Sequence, residues 1–172
     1  MSWRLLRHFV RDQSALAVIE FAIVLPLLLA LALGTFEASR VVRAKMKADG
    51  AAQMMADLIA AQDAVNPETL ANICLGARLA VAPYPGASLH AAIASVTNGV
   101  VDWTDTSCGA ATAIAEPEKL ATSLIEGVAN SVIIVQTTYG YSSPVAYLLP
   151  ASIALTHTAF ARPRYGPSVL KN

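Results

Sequence analysis

The sequence predicts an α+β protein, with a long N-terminal helix packed on a small antiparallel β-sheet. Three observations carry that expectation. The segment from Leu16 to Phe36 is a nearly unbroken apolar run of helical length. Beyond it, Val41, Ala48, Ala52, Met55 and Ile59 recur at spacings that keep them on one helical face. From Leu89 onward the helical periodicity gives way to β-branched and apolar runs separated by turn signals.

The elements follow in chain order. Residues 1–15 are a short basic leader carrying Arg4, Arg7 and Arg11. Residues 16–36 are expected to cross a bilayer, because roughly 20 helical residues rising about 1.5 Å each match a hydrocarbon core of about 30 Å. Glu20 sits inside that run, and Pro26 follows six residues later. A carboxylate costs about 2.5–3.5 kcal/mol at the bilayer centre and less near its edge, so Glu20 reads as a group with a task. Pro26 removes a backbone donor and is expected to loosen or kink the helix, which membrane helices tolerate.

The helix is expected to continue to about residue 62. Its Ala/Met stripe faces a partner surface, and Arg40, Arg43, Lys47 and Asp57 lie roughly opposite. Gly50 weakens it locally by about 1 kcal/mol relative to alanine. Asn66-Pro67-Glu68 supplies an N-cap and a first-turn proline for a second, short helix containing Cys74. Pro83-Tyr84-Pro85-Gly86 marks a turn. Asn98-Gly99 after the run Leu89–Val96 marks a β-hairpin. Asp102-Trp103-Thr104-Asp105 reads as a polar turn, since it lacks the glycine and distal glutamate of a calcium loop. Glu116–Glu126 reads as a short helix packing Leu120, Leu124 and Val128. Ser131–Tyr141 reads as a strand with Ile133, Val135, Thr137, Tyr139 and Tyr141 on one face. Pro144–Pro150 is expected to cross over to a last strand, Ile153–Arg162, with Ile153, Leu155 and His157 on one face.

Composition narrows the function. A hydrophobic content of 55% and a mean hydropathy of +0.52 suit a membrane-tethered chain. The domain assignment is therefore leader 1–15, transmembrane helix 16–36 and one α+β domain over 37–172. The net charge is zero and no basic patch is interleaved with aromatics, which argues against nucleic acid as a partner. The apolar run is longer than a secretory h-region, and no Ala-x-Ala site ends it before Arg40, so a signal anchor with an incidental glutamate is the weaker alternative. Cys74 and Cys108 are the two cysteines. They pair as one disulfide if the domain lies outside the cytoplasm and are reduced buried thiols if it does not. No C-x-x-C or histidine pair completes a zinc site, so no metal is expected.

No catalytic constellation is legible, and neither an enzyme nor a cofactor is expected. His8, His90 and His157 are scattered, no serine stands in a Gly-x-Ser-x-Gly setting, and Gly127, Gly140 and Gly166 are isolated.

The stretch from Arg11 to Leu29, with its basic residue, small residue, four apolar residues, Glu-Phe and proline-containing apolar helix, resembles TadE/TadF-like minor pseudopilins of tight-adherence (Tad/Flp) pilus systems. The tail Ala161-Arg162-Pro163-Arg164 resembles the family's C-terminal end. The resemblance implies a pilin-like fold anchored once in a bacterial inner membrane, N-terminus cytoplasmic and C-terminal domain periplasmic. It implies a structural role in pilus assembly and cell adhesion. The partners it implies are other pilins or pseudopilins, the Tad machinery and a prepilin peptidase.

By the same resemblance, Ala15 precedes the processing point, Leu16 becomes the new N-terminus, and Glu20-Phe21 occupies the assembly position, the carboxylate pairing with a neighbouring subunit's Leu16 amine. Two unpaired charges in apolar surroundings each cost several kcal/mol, and pairing them recovers much of that and fixes axial register. Ala15 departs from the family's usual glycine. The competing expectation is an unprocessed single-pass anchor whose outer domain binds a partner or ligand, with Glu20 merely at the headgroup level.

The two expectations separate at the N-terminus. Membrane-purified protein from cells with an active prepilin peptidase is expected to begin at Leu16, and Ala15→Phe to leave the precursor uncut. N-terminal sequencing checks both, and protein that begins only at Met1 rules processing out.

Overall fold

A computed structural model describes residues 13–122, 131–143 and 152–172, with side chains from Leu16 onward. Residues 1–12 of the leader, the expected contacts of Leu124 and Val128, and the crossing segment 144–150 lie outside the described residues. The chain divides into two units, residues 1–40 and 41–172.

Helix α1 runs over Gln13–Ala60, 48 residues with Pro26 inside it. In the first unit its side chains from Leu16 to Leu33 are all exposed. Among the described residues this is the one helix long and apolar enough to cross a membrane. In the second unit the same helix is amphipathic. Ala44, Ala48, Ala51, Ala52, Met55, Ala56 and Ile59 are buried, while Arg43, Lys47 and Gln53 are exposed. The expected stripe is therefore present, with Val41 half-buried at its edge and Ala44, Ala51 and Ala56 widening it.

The second unit continues with β1 (Ala64–Val65), α2 (Pro67–Ala80), a 3₁₀ turn (Gly86–Ser88), β2 (Leu89–Thr97), β3 (Val100–Cys108), α3 (Pro117–Thr122), β4 (Ser131–Tyr141), β5 (Ile153–Ala161) and β6 (Leu170–Lys171). Asn66 caps α2 as the sequence indicates, its side-chain oxygen accepting from Thr69 N–H at 2.8 Å, with Pro67 in the first turn. Leu70, Ile73, Cys74 and Ala77 then fall at helical spacing on its buried face. The Pro83 turn contains a cis Ala82–Pro83 bond.

Four strands form one antiparallel sheet in the order β3-β2-β4-β5. The β2–β3 hairpin closes through Asn98 (φ 52°) and Gly99 (φ 78°), the left-handed pair that a type I′ turn requires. Asp102–Asp105 is not a turn. It lies inside β3, where Asp102 accepts hydrogen bonds from Ser95 Oγ (3.0 Å) and Thr97 Oγ1 (2.5 Å) across the hairpin. Strand periodicity places Trp103 against the helix-side core with Asp105 two residues on along the same face, while Asp102 and Thr104 are exposed.

The sheet is buried on both faces. Leu89, Ala91 and Ile93 of β2 and Ile133, Val135, Tyr139 and Tyr141 of β4 meet the α1 stripe and α2 in one core. Ala92, Ala94, Val96, Val132 and Ile134 point the other way and join Ile114 and Ala121 in a smaller second core. This explains why β2 and β4 read as near-continuous apolar runs, a pattern of strands covered on both sides.

Alanine side chains set the distance between α1 and the sheet. Ala52→Leu, at a site with no solvent exposure, is expected to destabilise the domain by about 1–3 kcal/mol through overpacking. Val42→Leu, on the exposed face, is expected to change stability by less than about 0.5 kcal/mol. Thermal or denaturant unfolding of the pair checks the difference.

Candidate assembly site

The residues singled out at the N-terminus stand on one helix. Leu16 is 58% and Phe21 59% exposed, and Ile19, Ile23 and Leu27 are likewise open. Glu20 is exposed within the same apolar surface. Leu16 and Glu20 are four residues apart, so they share a face one turn from each other. The Ala15–Leu16 bond lies two residues after Gln13, where the described part of α1 begins. Pro26 leaves the Ala22 carbonyl without its i+4 donor, and α1 continues through it. At the far end of the apolar run, the Arg40 guanidinium lies 5.9 Å from the centre of the Phe36 ring. Glu37, which the sequence presents as one more flanking charge, is 1% exposed.

In the second unit, charged residues tie α1 to its surroundings. Asp49 is bonded by Lys45 Nζ at 2.9 Å and lies 3.5 Å from His157 Nδ1 on β5. Arg164 lies 3.8 Å from Asp57, and its backbone N–H donates to the Ala60 carbonyl at 2.9 Å. That bond satisfies one of the carbonyls a helix leaves open at its C-terminus. The tail after β5 thus docks on the end of α1. Leu170 N–H donates to Asp63 O and Asn172 N–H to Val65 O, forming the parallel β1–β6 pair.

Cys74 of α2 and Cys108 of β3 form a disulfide with Cα atoms 5.6 Å apart. On the chain-entropy model, closing a loop of this size stabilises by roughly 3–4 kcal/mol. Beside it His90 Nδ1 meets the Gly109 carbonyl. Trp103 Nε1 donates to Val169 O at 2.7 Å, and Lys171 Nζ lies 5.6 Å from the Trp103 ring centre. Lys171 also donates to the Thr104 carbonyl and to Asp105, each at 2.9 Å. Burial pushes the Asp105 carboxyl up, but hydrogen bonds from Ser107 and Lys171 and the Lys171 charge outweigh it and hold the group below the usual carboxylate range. Burial, with Tyr84 and Tyr141 nearby, pushes the Tyr139 phenol up. Among the described residues no group of three or more His, Cys, Asp or Glu is placed to hold a metal ion.

The geometry that stands out is thus a helix with two kinds of surface, and comparison with known proteins points to the same segment. Residues 16–57 match the family model described as TadE-like protein. No curated protein and no solved structure matches the chain. The TadE-like match begins at Leu16 and ends three residues before α1 does, so it covers the exposed apolar half and nearly all of the alanine stripe.

The Lys171–Asp105 contact anchors the C-terminal segment and has a definite pH signature. A lowered carboxyl pKa contributes stability that is present above the unfolded value and is lost as pH falls through the folded one. Lys171→Met is expected to cost about 1 kcal/mol at pH 7, modest because the pair is only partly shielded from water. Its difference from the parent protein is expected to shrink below about pH 4. Urea unfolding of both proteins at pH 7 and pH 3 reads this.

Proposed function

We propose that this protein is a minor pseudopilin, or pilus-assembly component, of a bacterial Tad (Flp) pilus system. The observation that carries it is the coincidence of the TadE-like match with an exposed apolar helix bearing Glu20 one turn from Leu16. In this reading the chain spans the inner membrane once, with a cytoplasmic N-terminus and a periplasmic α+β domain. The Cys74–Cys108 disulfide suits that oxidising compartment. A prepilin peptidase cuts after Ala15, and the new Leu16 amine pairs with the Glu20 carboxylate of a neighbouring pilin or pseudopilin. Phe21 packs beside that pair, and Pro26 lets the helix adjust to its neighbours. The work is structural: helix packing within the bilayer and surface contacts outside it.

Glu20 has little to do with the stability of the folded domain, because the cores of the second unit contain residues from Ala44 onward. Glu20→Ala is therefore expected to leave thermal unfolding and protein abundance unchanged while abolishing ordered co-assembly. Pilus number and protein level, measured together in the variant, decide the matter. Normal piliation would refute the register role, and lost piliation at normal abundance supports it.

A further inference from the structure

The cavity beside the disulfide holds a cation with no partner among the described residues. It has a volume of about 420 Å³ and is lined by Pro67, Ala71, Cys74, Leu75 and Arg78 of α2 and by Ser107 of β3. The α2 residues recur three and four apart, so one helical face forms its floor. The Cys74–Cys108 bond ties that face to β3 next to Ser107, which fixes the two walls relative to each other. Among the lining residues Arg78 alone is charged. No hydrogen bond or ion pair joins its guanidinium to a described residue, and its Nε is buried without an acceptor. Two glycines make the room it occupies. A Cβ on Gly109, at φ 77°, would come within 2.9 Å of Arg78 Nη2, and one on Gly86 within 2.5 Å of the Arg78 carbonyl oxygen. Arg78 stands in the last turn of α2, where a positive charge suits the open carbonyls, but that effect asks for no buried head group.

We infer that this cavity receives an aspartate or glutamate side chain of a partner polypeptide, with Arg78 as its counter-ion. A guanidinium fork matches the two oxygens of a carboxylate, and a small turn of the side chain gives Nε the acceptor it lacks. Phosphate offers the same sign of charge, but Ser107 distinguishes the two. Its hydroxyl donates to Asp105 Oδ1 at 2.6 Å, so toward the cavity it can only accept. An acidic residue brings its own backbone N–H to that oxygen, whereas a fully ionised phosphate brings no donor. Leu75 and Leu79, 57% and 68% exposed one turn apart on α2, give the residues beside the acid an apolar surface to cover, which a free amino acid would leave bare. Asp12 and Glu126 are the acidic residues of this chain whose side chains lie outside the described part, and the test separates them from a partner.

NMR of the full chain in lipid nanodiscs tests this by following the Arg78 Nε–H signal, assigned by its loss in Arg78→Lys. Acetyl-Leu-Glu-Leu-amide is expected to shift that signal saturably, with a Kd on the order of 1 mM, and acetyl-Leu-Gln-Leu-amide to bind at least about 10-fold more weakly. In Arg78→Gln the backbone amides of Leu75 and Ser107 are expected to lose their response to the glutamyl peptide. Equal responses to the two peptides, an equal response to inorganic phosphate or to free glutamate, or no response at all would each overturn the inference. So would an Arg78 signal that moves in the peptide-free Asp12→Asn/Glu126→Gln variant, or with protein concentration alone, because the acid would then belong to this chain. None of these readouts involves Glu20 or piliation, so the pilus reading is judged separately.

Discussion

The contact between the alanine stripe of α1 and the sheet is the constraint on which the rest of the domain depends. Ala44, Ala48, Ala51, Ala52, Ala56 and Ala60 present little more than methyl groups, with Met55 and Ile59 as the larger exceptions. A helix with so small a surface buries enough apolar area only by lying close to the strands, and the strands then supply the bulk through Ile93, Ile133, Val135, Tyr139 and Tyr141. Alanine also has the highest helix propensity, so the same residues keep α1 helical and bring it near the sheet. Gly50 interrupts neither role, since it lies on the exposed side where a Cβ would meet nothing.

With α1 held this way, the chain's last residues close the domain around its end. Arg164 bonds the Ala60 carbonyl, β6 pairs with β1 directly after the helix, and Val169 and Lys171 engage Trp103 and Thr104 of β3. These contacts join residues more than sixty positions apart to one short stretch, and the disulfide ties α2 to the same strand. Loop closure of this kind costs entropy that local bonds do not repay, so the buried Val65 and Val169 and the covalent link carry it.

Most of this architecture was legible in the sequence because its signals are local. The Asn66 cap, the Asn98-Gly99 turn, the β4 face and the helical stripe each follow from residues within a few positions of one another. The α+β class stands for the same reason. What the sequence hid depends on distant partners. Asp102–Asp105 looked like a turn because Asp102 meets Ser95 and Thr97, and Asp105 meets Lys171 beside its neighbour Ser107, once the strands and the C-terminal segment come together. The second core was invisible because alternation cannot be seen in a strand apolar on both faces, as β2 and β4 are. The two-residue β1 and β6 carry too little pattern to announce themselves, and Glu37 gave no sign of its burial. At the proposed assembly site, Leu16, Glu20 and Phe21 were found by motif alone; the helix adds that they share an exposed surface and that Leu16 and Glu20 are one turn apart.

The division within α1 accounts for how one helix can serve two environments. In its first half apolar side chains point in all directions, which water penalises and a bilayer or other apolar helices do not. In its second half the apolar residues narrow to a stripe, and Arg43, Lys45 and Lys47 take the outer side, as a helix half in water requires. The change falls near Phe36, Glu37 and Arg40, where the first charges appear after an uninterrupted apolar stretch. A carboxylate at Glu20 breaks the pattern of the first half without strengthening anything in the second. In the proposed reading, that group finds its counterpart outside the chain. A freed amine at the head of an identical or related helix would, on that proposal, supply the right charge at a position set by helical geometry.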